Sequence, residues 1–187
     1  MPAALDGDTR ARLTATVADR IRAVPDFPRP GILFRDITPV LADAAALGAA
    51  LDLHIDRIAD VVDRIDTVVG IESRGFLFGM AVAARIGAGF VVARKPGKLP
   101  APTIEASYAL EYGTDRLQMH ADAMVRGARV LVVDDLLATG GTAGAARELV
   151  LSLGGEPIAA LFLIELRALG GRARLGDLRV EAVLGYD

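Results

Sequence analysis

The sequence predicts an α/β fold: a doubly wound, mainly parallel sheet flanked by helices, with an extended flap and a small N-terminal hood. Three observations lead there. From residue 67 onward, short apolar runs rich in β-branched residues alternate with segments of helical spacing. The runs carry no polar alternation, as expected of strands buried on both faces of a parallel sheet. One long stretch bearing proline and glycine interrupts the alternation, and such a stretch inside a compact domain is usually functional or disordered. With 187 residues, 52% hydrophobic and 24% charged, the chain suits one domain, 1–187, with a full core and no room for two.

Taken in order, Thr9 to Val24 sets Leu13, Val17, Ile21 and Val24 at helical spacing and reads as an amphipathic helix. The next segment, PDFPRPGILFRDITP, is too dense in proline to continue it and completes the hood, 1–40. Asp43 reads as the N-cap of a long helix carrying Leu47, Leu51, Ile55, Ile58 and Val62. Thr67 to Ile71, Gly89 to Ala93, Arg129 to Val133 and Ile158 to Ile164 are strand-like, and Leu178 to Leu184 is a weaker final strand. Helices are expected at Gly75 to Ile86 and Thr142 to Leu153. The interruption, 95–116, holds Pro96, Gly97, Pro100 and Pro102 before the alternating SYALEY and Gly113. It is expected to form a flap of two extended arms beside the sheet's C-terminal edge.

Composition removes several function classes. There is no cysteine, so disulfides, thiolate zinc sites and a cysteine nucleophile are out. A net charge of -3 argues against nucleic acid as a partner, since such binders carry a basic surface. Any phosphate ligand must then be met by a local site. The N-terminal MPAALDGDTRARL mixes acids and arginines where a signal peptide needs an apolar stretch. Apolar runs such as Ala159 to Ile164 are too short to cross a membrane. A soluble, cytoplasmic protein is expected.

The chemistry concentrates at 129–142, RVLVVDDLLATGGT. An apolar strand runs into Asp134 and Asp135, and a small-residue loop of Ala138, Thr139, Gly140, Gly141 and Thr142 then opens a helix. Ligands in open α/β sheets sit beyond the carboxyl ends of strands, where those acids fall. The loop lets backbone N–H groups approach a phosphate, and the helix adds its positive end. Each half alone could be a solvated turn or a tight connection. Together they ask for hydroxyls beside an anion, which a ribose 5-phosphate supplies.

This run resembles the phosphoribosyl pyrophosphate signature of the type I phosphoribosyltransferases. Four further blocks resemble the adenine phosphoribosyltransferase family: PDFPRPGILFRDITPV, GIESRGFLFG, RKPGKLP with YALEYGTDRLQMHADA, and IEL followed by Gly171-Arg172. They stand in the family's order from residue 25 to 172. The resemblance implies transfer of the phosphoribosyl group of phosphoribosyl pyrophosphate to adenine, giving AMP and pyrophosphate in purine salvage. It implies Mg2+ carried by the substrate, with no direct protein ligand, and a homodimer.

The same resemblance distributes roles. Asp134 and Asp135 hold the ribose, and 138–142 the 5-phosphate. Glu72, Ser73, Arg74, Lys95 and Lys98 serve pyrophosphate, with a cis peptide expected between Glu72 and Ser73. Arg94, Lys95 and Lys98 form the densest basic spot, and Arg94 has a structural role as its alternative reading. Phe34 and Leu166 sandwich the purine, and backbone groups around Phe34 and Arg35 read its edge. Glu111 is the proton carrier and Tyr112 helps close the flap; Arg74 and Lys98 complete the catalytic set. One departure is Gln118, where relatives commonly carry an acid. His54 is expected at a helix surface, and neither it nor His120 suggests catalysis. A phosphoribosyltransferase for another base, or a regulator that kept the fold as a purine or pyrophosphate-sugar sensor, are the competing readings. Regulators usually add a DNA-binding segment and tend to lose flap residues.

Overall fold

The computed structural model describes residues 4–109 and 113–187. The chain opens with α1 (Gly7–Ala18), a hairpin of β1 (Arg22–Pro25) and β2 (Leu33–Asp36), the short α2 (Thr38–Ala42), and α3 (Ala44–Arg57). There follow β3 (Thr67–Ile71), α4 (Gly75–Ile86), β4 (Gly89–Ala93), and a ribbon of β5 (Thr103–Ala109) and β6 (Thr114–His120). The last elements are β7 (Arg129–Leu137), α5 (Gly141–Ser152), β8 (Glu156–Leu166) and β9 (Arg179–Tyr186).

β3, β4, β7, β8 and β9 form one parallel sheet in the order β4-β3-β7-β8-β9. Along β3, β7 and the first part of β8, consecutive side chains enter different cores. Val68, Leu131, Val133 and Leu161 meet α3 and α4, whereas Val69, Val130, Val132 and Phe162 meet α5 and the ribbon. Burial on both sides explains the missing polar alternation. β3 leads through α4 outward to β4, and β7 leads through α5 the other way to β8, so the order reverses between β3 and β7. Their carboxyl ends border the crevice where ligands sit in such sheets.

β3, β4 and α4 have the expected bounds; other elements differ. α1 stops at Ala18, and Ile21 and Val24 lie outside it. A residue before proline is pushed out of the helical region, and Val24 precedes Pro25; it pairs with Phe34 in the hairpin instead. α3 starts where Asp43 accepts from the N–H groups of Ala45 and Ala46, but it ends at Arg57. Ile58 and Val62 still reach the core, through tight turns. β7 runs on through both acids to Leu137, because β8 continues to pair with it as far as Glu165. The flap's return arm extends past 116 to His120, and Ala106, Leu117 and Met119 join the core beside α5.

His54 is buried, not at the surface. It shares a helical line with Ala46 and Ala50, stacks on Phe78 with ring centroids 5.2 Å apart, and its Nδ1 donates to the Ala50 carbonyl at 2.6 Å. Burial, only partly offset by that carbonyl, lowers its pKa to about 4 from 6.5. The unfolded chain therefore binds the extra proton more readily between those values. The stability this group contributes above pH 6.5 is lost as pH falls toward 4, about 3 kcal/mol in all. Urea unfolding at pH 7.5 and 4.5 should show that loss in the wild type and a smaller one in His54→Leu. Equal losses in the two proteins would rule it out.

Candidate active site

A cavity of about 460 Å³ opens at the crevice between β3 and β7. The turn after β3 contributes Glu72, Ser73 and Arg74, and the end of β7 contributes Asp134 and Asp135. Ala138, Thr139, Gly140 and Thr142 form one wall; Lys95 and Tyr108 close the flap side. The peptide between Glu72 and Ser73 is cis. Gly141 is buried as the first residue of α5.

The two acids are unlike ordinary surface carboxylates. Asp134 keeps part of its surface open, yet burial first and the adjacent Asp135 second hold its carboxyl well above the usual range. Burial raises Asp135 too, against the pull of the Arg74 guanidinium 2.8 Å away. Asp134 Oδ1 also accepts from the Asp135 N–H at 2.9 Å. A Cβ on Gly75 would lie 2.7 Å from the Val133 carbonyl oxygen and 2.8 Å from Asp134 Oδ1, so only glycine lets α4 begin this close to the acids.

The acids' sign of linkage sets a prediction. A carboxyl raised in the folded state stabilises the fold below its unfolded pKa, and that contribution is lost as pH rises through the folded value. Asp134→Asn removes the buried charge, so ligand-free melting at pH 7 should occur at a higher temperature than in the wild type, with the gain vanishing below about pH 4. Hydrogen bonds to charged groups are worth about 1.5–3 kcal/mol, so sugar-substrate kcat/KM should fall about 10- to 150-fold in the same variant. Wild-type kinetics would remove the ribose role; an unchanged melting temperature would remove the electrostatic one.

The small-residue loop owes its shape to packing. Gly140 has φ +78°, and a Cβ there would lie 2.3 Å from the Gly171 carbonyl oxygen; a Cβ on Gly171 would lie 2.3 Å from that of Ala138. The loop and the 170–171 turn thus touch backbone to backbone. Beside Gly171, Arg172 grips the buried Glu165 through two bonds of 2.6 and 2.7 Å and donates to the Val180 carbonyl at 2.7 Å.

A second, largely apolar cavity of about 630 Å³ adjoins the first. Ile32, Leu33 and Arg35 come from the hood, Leu166 and Tyr186 from the ends of β8 and β9, and Thr139 lines both cavities. Its volume and largely apolar lining suit a planar base beside a phosphate site.

A model of the phosphoribosyl transferase domain matches residues 42–181. The adenine phosphoribosyltransferase of Sorangium cellulosum is 59% identical over 157 residues, 84% of this chain and 78% of that protein. The chain belongs to the adenine phosphoribosyltransferase family. The adenine phosphoribosyltransferase of an Anaeromyxobacter species is 55% identical, covering 91% of this chain and 95% of its own. The crystal structure of the Rhodothermus marinus enzyme superposes with a TM-score of 0.88 at 49% identity, covering 94% and 99% of the two chains. The Saccharomyces cerevisiae adenine phosphoribosyltransferase, solved with an imino-altritol bisphosphate and adenine, gives 0.89 at 38% identity, covering 93% and 99%.

Within this adenine phosphoribosyltransferase family member, most of the expected site residues line one of the two cavities, and Gly141 is buried at the start of α5. Glu72, Ser73, Arg74, Lys95, Asp134, Asp135, Ala138, Thr139, Gly140 and Thr142 line one cavity, and Arg35 and Leu166 line the next. Phe34 is not on the lining of Leu166's cavity; its ring packs against Phe27 at 5.0 Å and under the Arg74 guanidinium at 5.6 Å. Lys98 lies outside the first cavity's lining and pairs with Glu72 at 2.6 Å. Glu111 and Tyr112 lie outside the described residues.

Sequence reasoning missed the pairings. Lys95 binds Asp115 and the Tyr108 hydroxyl, so the flap's arms are tied to the cavity wall. Burial pushes Glu72 up, but Lys98, the Lys95 N–H and Arg94 outweigh it and hold it low. Arg94 donates to the Lys98 carbonyl at 3.1 Å, and its backbone bonds with that of Gln118. Gln118 donates to Glu105 at 2.9 Å and accepts from the Gly97 N–H at 3.3 Å.

Proposed function

We propose that this chain works as an adenine phosphoribosyltransferase through a division of labour between the two cavities. It transfers the 5-phosphoribosyl group of phosphoribosyl pyrophosphate to adenine, giving AMP and pyrophosphate, a step of purine salvage. The observation that carries this is the shared Thr139 wall, which sets an anion cradle with two acids against a slot for a flat base.

Loss of pyrophosphate builds positive charge on the sugar, as in glycoside hydrolysis. Asp134 and Asp135 anchor the ribose hydroxyls, and the 138–142 loop takes the 5-phosphate. Arg74, with Lys95 and Lys98 released from their carboxylates, meets the charge that grows on pyrophosphate. Glu111 handles the purine proton, and Tyr112 and the ribbon exclude water. Adenine N9 attacks the sugar C1 from the face opposite pyrophosphate, without a covalent enzyme intermediate.

Mg2+ enters with the diphosphate and neutralises part of its charge. The lining fits an ion held by the substrate: Asp134 and Asp135 repel one another, so a cation carried on the diphosphate nearby would relieve that repulsion without needing a direct protein ligand. A cytoplasmic homodimer completes the reading, with Leu77 and Met80 exposed on α4 as apolar surface for a mate.

The test is a spectrophotometric assay of adenine, hypoxanthine, guanine, uracil and orotate with phosphoribosyl pyrophosphate and Mg2+. Turnover of adenine is expected. Faster turnover of any other base overturns the reading, and light scattering at assay concentration checks the dimer.

A further inference from the structure

β9 is the last strand of the sheet, and its register places Tyr186 directly opposite Leu166 of β8. The two residues therefore stand side by side at the carboxyl edge and line the same apolar cavity. Across that cavity, the Arg35 guanidinium carbon lies 4.0 Å from the centre of the Tyr186 ring. That is a close cation–π contact, well inside the range where the ring's electron-rich face attracts a cation. Arg35 is half-buried, so water screens the contact only in part.

The contact acts on an element outside the main sheet, whose neighbouring Phe34 also packs under the Arg74 guanidinium. β2 pairs with β1 in a two-stranded sheet, separate from the five-stranded one. An isolated two-stranded hairpin is marginal in water, so its position over the cavity depends on contacts to the body. The side chain of Arg35 supplies one at its own residue. Whatever fixes that guanidinium also restricts the backbone of residues 34 and 35.

We infer that Tyr186 is a positioning residue of the adenine pocket: its ring holds the Arg35 guanidinium and so sets the hood backbone at the distance from which it reads the base. The inference rests on the proposed function together with the expectation, drawn from the family resemblance, that backbone groups around Phe34 and Arg35 read the edge of adenine. It assigns the last residue of β9 to base affinity, and it explains why an arginine stands where only the backbone is asked to read.

Steady-state kinetics on Tyr186→Leu, Tyr186→Phe, Arg35→Ala and the Arg35→Ala/Tyr186→Leu double variant test it. A cation–π contact of this kind supports a change of about 2- to 30-fold. Tyr186→Leu and Arg35→Ala should each raise the adenine KM by that factor, with kcat at saturating base and the KM for phosphoribosyl pyrophosphate unchanged. Tyr186→Phe keeps the ring and should restore the adenine KM. The double variant should be no worse than the worse single one, because one contact is lost once. An unchanged adenine KM in Tyr186→Leu, or additive losses in the double variant, overturns the assignment. So does a parallel rise in both KM values, which a generally loosened fold would give. Should Tyr186→Leu not fold, Arg35→Ala against Tyr186→Phe decides: a normal adenine KM in Arg35→Ala overturns it. A wild type that does not prefer adenine to hypoxanthine overturns the base-reading itself, which separates the two failures.

Discussion

Adenine is expected to beat hypoxanthine in kcat/KM by about 10,000- to 100,000-fold, the range available to sites built around directional hydrogen bonds. The reason lies in β2. Among the described residues it pairs only with β1, which leaves its other edge without a strand partner, and Leu33 and Arg35 line the cavity. In the proposed reading, a carbonyl there would accept from adenine's exocyclic amine and an N–H would donate to N1. Hypoxanthine reverses both partners: its six-position oxygen accepts and its N1 carries a proton. Two attractive contacts become acceptor against acceptor and donor against donor, each leaving a polar group unpaired. Since the readers are backbone, Arg35→Ala should keep the preference for adenine even where it weakens binding. The measurement is kcat/KM for both bases in the wild type and in Arg35→Ala. Comparable wild-type values for the two bases would refute backbone reading of adenine and favour a 6-oxopurine enzyme.

Arg74→Ala is expected to lower kcat by about 100- to 1,000-fold, the usual scale for losing one preorganised donor at a developing charge. Arg74 is the N-cap residue of α4 and lines the cavity, with Asp135 at 2.8 Å and the Phe34 ring at 5.6 Å. It therefore does two things in the ligand-free protein. It supplies positive charge where pyrophosphate is proposed to leave, and it offsets an acid that burial already raises. Its removal should leave adenine KM much less affected than kcat. A raised adenine KM with kcat untouched would mean that Arg74 serves the base side through Phe34 instead. Lys98→Ala should act in the same direction with a smaller effect, because Lys98 lies outside the cavity lining and must first leave Glu72.

The parts of the site legible in the sequence are those built from consecutive residues. The strand, acids and loop of 129–142 form one continuous unit, and so does the turn 72–75. Local rules suffice there: a β-branched run makes a strand, and small residues make a loop that a phosphate can approach. The bounds of β3, β4 and α4 follow for the same reason. The misplaced end of the first helix had a local signal too, since Val24 precedes a proline. So did His54, which lies on one helical line with the buried Ala46 and Ala50.

The pairings had no such signal. Arg74 with Asp135, Lys95 with Asp115 and Tyr108, Glu165 with Arg172, and Arg35 with Tyr186 join residues on different elements. Pattern and propensity describe neighbours along the chain, whereas these contacts depend on strand order and register. By itself the sequence determined an α/β sheet, a phosphate loop after two acids and, through resemblance, the family. Only the tertiary structure decided which cation meets which acid, and that Tyr186 stands beside Leu166. Strand order is settled by burying both faces of the whole sheet at once, a condition no single segment contains.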